Sequence, residues 1–139
     1  MLRIVLDTNV VVSGLRSRRG ASFALLAHLE GGDFEVAVSV PLVLEYEDVL
    51  LREVAGPLKA RDVRDFVDAI CSLAHRQAIF FLWRPMLPDP KDDMIAELAV
   101  AAECSAIVTH NVRDFRGVEA FGIDILTPAK LLQRLRGGT

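Results

Sequence analysis

Short, unbroken apolar runs alternate with amphipathic segments along the chain. A run without polar alternation is typical of a strand buried on both faces of a parallel sheet. Such runs predict strands at residues 4–6, 34–38, 78–83, 105–109 and 123–126. Helical spacing of apolar positions predicts helices at 21–30, 41–54, 61–75, 90–102 and 128–136. Together they predict one α/β domain over residues 1–139, a three-layer α/β/α sandwich with a mainly parallel central sheet of four to five strands.

Composition narrows the class of protein. Of the 139 residues 52% are hydrophobic, yet no apolar run approaches the roughly 18 residues of a membrane span. The first apolar run is short and ends on Asp7, unlike a signal peptide, so we expect a cytoplasmic protein with no membrane segment. Cys71 and Cys104 lie far apart in apolar helical patterns, which predicts buried free thiols. The net charge of −3 argues against binding nucleic acid through bulk positive charge, but it is compatible with a local basic patch.

The first strand stops abruptly on an acid. Asp7 follows Ile4, Val5 and Leu6, so it emerges at the carboxyl edge of the predicted sheet, where open α/β sheets bind ligands. Asp, Thr and Asn are also good helix caps, and the DTN tripeptide alone fits a cap as well as a site. Thr8 is interpreted as a turn residue.

Two further acids point in the same direction. Glu45 lies on the edge of the apolar stripe of the helix predicted at 41–54. Asp92 lies on the inward face of the first turn of the helix predicted at 90–102. An acid on an apolar face is costly unless it is paired, bound to metal or at a cleft. We interpret Asp89 and Asp93 as capping acids, which the helix dipole favours.

These acids and the turn at 111–114 each follow a strand or lie on the inward side of a following helix. Carboxylates brought close together raise each other's pKa unless a cation neutralises them. Oxygen ligands without a cluster of cysteines or histidines favour Mg²⁺ or Mn²⁺ over zinc. The sequence therefore predicts a site for a hard divalent cation at one edge of the sheet.

Arginines flank this candidate site. A guanidinium group matches phosphate oxygens through paired hydrogen bonds, although a basic loop is equally compatible with a solvated surface turn. The arginines that are candidates for contact with phosphate, which would be RNA contacts if the ligand is RNA as the resemblance described next implies, are Arg16, Arg18, Arg19, Arg113 and Arg116.

Four motifs carry a family resemblance in their order and spacing. They are IVLDTNV near the start, the inward Glu45, DPKDDMIAELA, and IVTHNVRDF. Over nearly the whole chain they resemble a PIN domain, in particular the VapC-like toxins of bacterial and archaeal toxin–antitoxin pairs. The resemblance implies an acidic cluster that binds Mg²⁺ or Mn²⁺ and hydrolyses phosphodiester bonds in RNA. It also implies a cognate antitoxin as partner and a homodimer.

The resemblance assigns roles to individual residues. Asp7, Glu45 and Asp92 correspond to the family's first, second and third acids. Thr109 resembles the threonine or serine that hydrogen-bonds the first acid, and Asn9 resembles the asparagine that holds the site together. We expect Asp7 and Asp92 to hold the metal, and Glu45 to orient or deprotonate the attacking water and to lie beside the metal.

The fourth position departs from the family pattern. Asn111 stands where many relatives have an acid, and the nearest carboxylate is that of Asp114. An asparagine ligates a metal or its water through its carbonyl oxygen but brings no charge, so the sequence leaves open whether a second ion binds between Asn111 and Asp114.

Two other functions stay open. The substitution at Asn111 is compatible with a catalytically weak or inactive PIN-fold module that binds RNA or protein. A phospho-receiver or phosphatase-like α/β domain also gathers acids around Mg²⁺. It would have an adjacent acid pair or D-x-D at the first strand, and the DTN motif offers neither.

Overall fold

Parallel strands form the centre of the molecule. The computed structural model describes residues 2–17, 19–54, 60–79 and 87–137. The strands are β1 (Arg3–Leu6), β2 (Glu35–Val38), β3 (His75–Arg76), β4 (Ala106–Val108) and β5 (Asp124–Leu126). The helices are α1 (Thr8–Arg16), α2 (Ala21–Glu30), α3 (Val40–Glu53), α4 (Ala60–Leu73), α5 (Pro90–Ala101) and α6 (Pro128–Gly137). Short 3₁₀ helices span Val112–Phe115 and Val118–Phe121.

The strand order is β3-β2-β1-β4-β5, and each neighbouring pair is parallel. The chain runs from β1 outward to β3, and then crosses back through α5 to β4 on the other side of β1. Right-handed crossovers place α5 on the face opposite the helices that follow β1 and β2, which gives three layers. The predicted fold class is thus confirmed. The strand order changes direction between β1 and β4, the position at which such sheets bind ligands.

Two expectations about secondary structure were wrong. Residues 8–16 form α1, where no helix was predicted, because the consecutive β-branched residues Val10, Val11 and Val12 favour strands, whereas here they are buried by packing. Within the described residues the third strand is at His75–Arg76, where the sequence predicted the end of a helix at His75. Ala78 and Ile79 have no strand assignment, and residues 80–83 lie outside the described part.

Local signals set the starts of the helices that carry the acids. Ser39 caps α3 by accepting a hydrogen bond from the backbone N–H of Leu42, and proline follows in the first turn. Asp89 caps α5 by accepting from the backbone N–H of Lys91, as predicted. Caps at these two sites fix where Glu45 and Asp92 fall along their helices.

Apolar side chains from the strands and the inner helix faces form one core. Both cysteines are free thiols, but only Cys104 is buried, and Cys71 is half-buried. Among the described helices, none has the length and apolar character to cross a membrane.

Candidate active site

Asp7 ends β1 and stands at the N-cap position of α1, yet its side chain does not cap that helix. Its Oδ2 instead accepts a hydrogen bond of 2.6 Å from the hydroxyl of Thr109, which follows β4. Both residues are buried. Asp7 therefore combines both interpretations of the DTN motif. Its backbone begins a helix, and its carboxylate contacts the end of the neighbouring strand.

Burial dominates the electrostatics of Asp7. Loss of hydration raises the pKa of its carboxyl, while the bonds from the Thr109 hydroxyl and the Thr8 backbone lower it. The negative charges of Glu45 and Asp114 raise it further, so the pKa lies above its ordinary value. Asp7 is an acid held in place against charge repulsion.

Glu45 reaches the same region from α3. Its Oε2 accepts a 2.6 Å hydrogen bond from the hydroxyl of Thr8. The neighbouring Tyr46 is buried and donates its hydroxyl to the carbonyl oxygen of Leu6, which anchors α3 to the end of β1. The interpretation of Thr8 as a turn residue was wrong, since it is the first residue of α1 and contacts a site acid. Had residues 8–16 been interpreted as an amphipathic helix, Thr8 would have been predicted in its first turn, close to the site.

Asp92 lies in the first turn of α5 and is half-buried. Burial and then the charges of Asp7, Asp89, Asp114 and Glu45 raise its pKa to about 7. A carboxyl whose pKa is raised both by burial and by neighbouring acids is a candidate for a functional residue.

Asp93 differs from its neighbour in direction. It is buried, and its Oδ1 accepts a 2.7 Å hydrogen bond from the backbone N–H of Leu87. Its role is therefore to hold the chain that enters α5, while Asp92 points to the cavity that the other site acids line.

The turn after β4 closes the site. The Thr109 hydroxyl also accepts from the backbone N–H of Asn111 at 2.9 Å, and Oδ1 of Asn9 accepts from the backbone N–H of His110 at 3.4 Å. The hydroxyl of Ser13 lies 2.9 Å from Nε2 of His110, which links this turn to α1. These bonds hold the turn that carries Asn111 against the helix that starts at Asp7.

The predicted site residues meet at an open cavity of about 360 Å³. Its lining includes Asp7, Thr8, Asn9, Ser13, Arg16, Glu45, Glu53, Asp89, Lys91, Asp92, Asn111 and Asp114. Thr109 lies behind it, bonded to Asp7. The structure thus brings together every predicted acid, Asn9 and Asn111.

The candidate RNA contacts are more scattered. Among the described arginines only Arg16 lines this cavity, where it donates to the backbone carbonyl and to Oε2 of Glu53, the latter at 2.8 Å. Arg19, Arg113 and Arg116 are exposed elsewhere, and Arg18 lies outside the described residues.

The donor set fits a hard divalent cation that keeps part of its water. Within the described ranges, no three acidic, histidine or cysteine side chains form a group that could by itself hold a metal ion. However, the carboxylates of Asp7, Glu45, Asp92 and Asp114 line one cavity, and their repulsion adds to the burial that raises the pKa values of Asp7 and Asp92. A bound cation would neutralise that negative charge. Mg²⁺ commonly binds through one or two carboxylates and several waters, which suits these oxygen donors around an open cavity.

Comparisons with known proteins agree with this geometry. A family model described as PIN domain matches residues 3–113. The fold is similar to a crystal structure of VapBC2 from Rickettsia felis bound to a DNA fragment from their promoter, with a TM-score of 0.64 and 15% sequence identity. The match covers 91% of this chain and 98% of that one. Comparison with curated proteins found no match.

Proposed function

Because the chain belongs to the PIN domain family, we propose that it is a metal-dependent endoribonuclease that acts as the toxin of a toxin–antitoxin pair. One observation carries the proposal. The carboxylates of Asp7, Glu45, Asp92 and Asp114 come from four parts of the chain and line a single cavity at the change of strand order. Clustering of this kind lowers stability, so we expect it to serve chemistry.

Each residue of the site has a distinct proposed role. Asp7 and Asp92 would hold Mg²⁺ or Mn²⁺ directly or through water, and Asn111 with Asp114 would support a second ion. When bound, such an ion supplies Lewis acidity that stabilises charge developing on the phosphate and on the leaving oxygen. Glu45, bonded through Oε2 to Thr8, orients the attacking water and accepts its proton.

The proposed contacts with RNA are made to its phosphate groups. Arg16 at the cavity, together with Arg18, Arg19, Arg113 and Arg116, binds the phosphate backbone, which makes affinity dependent on salt. Among the described members of this set, Arg16 is the one that lines the same cavity as the acids.

The proposal is tested by substituting the first acid. We expect the purified chain to cleave RNA with Mg²⁺ or Mn²⁺, and Asp7→Asn to abolish cleavage while circular dichroism shows an unchanged fold. Undiminished cleavage by Asp7→Asn would end this assignment. A wild-type chain that cuts no RNA pool with Mn²⁺ would favour the second candidate, an inactive binding module, to which the uncharged Asn111 points.

The proposal includes two protein partners in the cytoplasm. The structurally similar VapBC2 is a complex bound to promoter DNA, and we propose by analogy that a cognate antitoxin binds this chain. We further propose a homodimer. Val40 and Leu44 on α3 are 74% and 62% exposed, and a second copy would cover these apolar side chains. Light scattering should give twice the chain mass, and a monomer in which both side chains stay exposed would refute the dimer.

A further inference from the structure

Thr8 is placed to control the orientation of Glu45. It is 8% exposed, and its hydroxyl lies 2.6 Å from Oε2 of that glutamate. We propose that Thr8 is a positioning residue, which holds the Glu45 carboxylate at the cavity with Oε1 directed to the attacking water. This inference rests on the proposed nuclease function and concerns a residue to which neither the family resemblance nor the comparisons give a role.

Glu45 needs such a constraint. It carries three rotatable side-chain bonds and faces the negative charge of Asp7, which raises the free energy of any arrangement that keeps both carboxylates close. Without a donor, repulsion would favour rotamers that turn Glu45 outward. Thr8 supplies a donor at a defined position because a β-branched side chain has restricted χ1 and its backbone is fixed in the first turn of α1.

The two site acids are held in the same manner. Thr109 donates to Oδ2 of Asp7 at 2.6 Å, and Thr8 donates to Oε2 of Glu45 at 2.6 Å. In each pair one carboxylate oxygen accepts from a buried threonine. Fixing catalytic groups before the substrate binds lowers the barrier, because the ordering cost is met during folding.

A purely structural role would be redundant here. Tyr46 of α3 already donates its hydroxyl to the carbonyl oxygen of Leu6 at the end of β1, and α3 packs directly against α1. Loss of the Thr8 hydroxyl should therefore leave the packing of the helices intact and act on the carboxylate of Glu45.

The test compares Thr8→Val, which keeps the shape and removes the donor, with Thr8→Ser, which keeps the donor. Thr127→Val is the matched control, since the Thr127 hydroxyl only accepts a backbone bond at the start of α6. We expect Thr8→Val to lower kcat about tenfold with KM unchanged, the size of effect that one hydrogen bond to a charged group allows. Thr8→Ser should recover most of kcat, and Thr127→Val should match the wild type.

Calorimetric titration with Mn²⁺ gives a readout independent of cleavage. Because Glu45 is expected to lie beside the metal, we expect the loss of its hydrogen bond in Thr8→Val to weaken Mn²⁺ binding about threefold, and Thr8→Ser to restore it. In a Glu45→Gln background, Thr8→Val should cause no further loss of kcat, because the two residues act as a unit. If Thr8→Val fails to fold, Thr8→Ala replaces it in the same comparisons.

The outcomes separate the two proposals. A wild-type chain that cuts no RNA refutes the nuclease, and the Mn²⁺ titration then still decides on Thr8. Wild-type kcat and Mn²⁺ affinity in Thr8→Val overturn the positioning role, as does a Thr8→Ser variant as impaired as Thr8→Val. A wild-type chain that binds no Mn²⁺ overturns both.

Discussion

Thr109 and Asp7 are 102 residues apart in sequence and are joined by a buried 2.6 Å hydrogen bond between the ends of β4 and β1. The same hydroxyl accepts from the backbone N–H of Asn111, so its own proton is directed toward the acid. This threonine connects the first acid to the turn that carries the fourth site position. Its contribution is electrostatic as well as geometric, since its bond lowers the pKa of Asp7.

Replacing Thr109 with valine should therefore affect both activity and stability. Loss of the donor leaves the buried carboxylate of Asp7 less well satisfied, which we expect to cost about 1 to 3 kcal/mol of unfolding free energy. The pKa of Asp7 should rise, so the acidic limb of the profile of kcat/KM against pH should move to higher pH. Urea unfolding and a pH series measure the two effects. A Thr109→Ser variant as impaired as Thr109→Val would contradict this explanation.

The cluster of acids should make the metal-free protein less stable as pH rises. The pKa of Asp92 is about 7 in the folded chain against 3.8 for an unperturbed group, so the folded state binds the proton more tightly. Its contribution to stability is complete below about pH 4 and is lost as pH rises toward 7 and above. With EDTA present, Asp92→Asn should unfold at higher urea than the wild type at pH 8 and at similar urea near pH 4.

Asp65→Asn provides the control for that experiment. Asp65 is exposed on α4 and its charge is not among those that raise the pKa of Asp92, so the substitution should change stability little at either pH. Equal stability of Asp92→Asn and the wild type at pH 8 would show that Asp92 is not strained by its neighbours.

Divalent cations should reverse this loss of stability. An ion that binds only the folded state adds about 2.7 kcal/mol at a hundred times its Kd. We expect Mn²⁺ to raise the Tm of the wild type at pH 8, and EDTA to abolish the shift. Because Asp7 and Asp92 are the proposed ligands, the double variant Asp7→Asn with Asp92→Asn should show little shift. A shift of wild-type size in that variant would place the ion elsewhere.

Sequence patterns located the acids better than they located the contacts among them. The position of Asp7 could be predicted because an apolar run ends on it. The change from apolar to polar residues marks the end of a buried parallel strand. The contact of Thr8 with Glu45 was not predicted, because it depends on α1, which was not predicted either. Three consecutive valines disfavour a helix locally, and their burial against the core stabilises it. Tertiary packing overrides local preference there.

The position of the edge strand β3 was predicted wrongly for a related reason. His75 and Arg76 form β3, which pairs only with β2 in the described sheet and lies at its edge. An edge strand tolerates polar and charged residues, so it lacks the apolar signal that marks the central strands. The strand was therefore predicted at the apolar run at 78–83, which follows it in the sequence.

Arg16 provides a test of RNA binding. Its bond to Glu53 joins two side chains that are each about half exposed, and such a pair contributes little to stability. We expect Arg16→Ala to raise KM for RNA, to leave kcat nearly unchanged, and to reduce the slope of affinity against salt by about one phosphate contact. Glu53→Gln should lower KM, because it releases Arg16 for phosphate.

Arg134→Ala is the matched control for Arg16→Ala. Arg134 on α6 pairs with Asp124 on β5 at 3.0 Å, so its loss removes an equal charge elsewhere. A similar rise in KM for both arginine variants would indicate an effect of net charge rather than a contact at the site.

Asn111 is the position where a single added charge should be most informative. It lines the cavity and is exposed, so Asn111→Asp adds a carboxylate to the cluster without disturbing the core. Added repulsion should lower metal-free stability at pH 8, since unpaired like charges favour the unfolded chain. With Mn²⁺ the same charge should tighten binding and, if a second ion is supported there, raise the stoichiometry measured by calorimetry. Asn111→Ala should weaken binding. Equal Mn²⁺ affinity in both variants would remove Asn111 from the metal site and leave Asp114 to fill the fourth position.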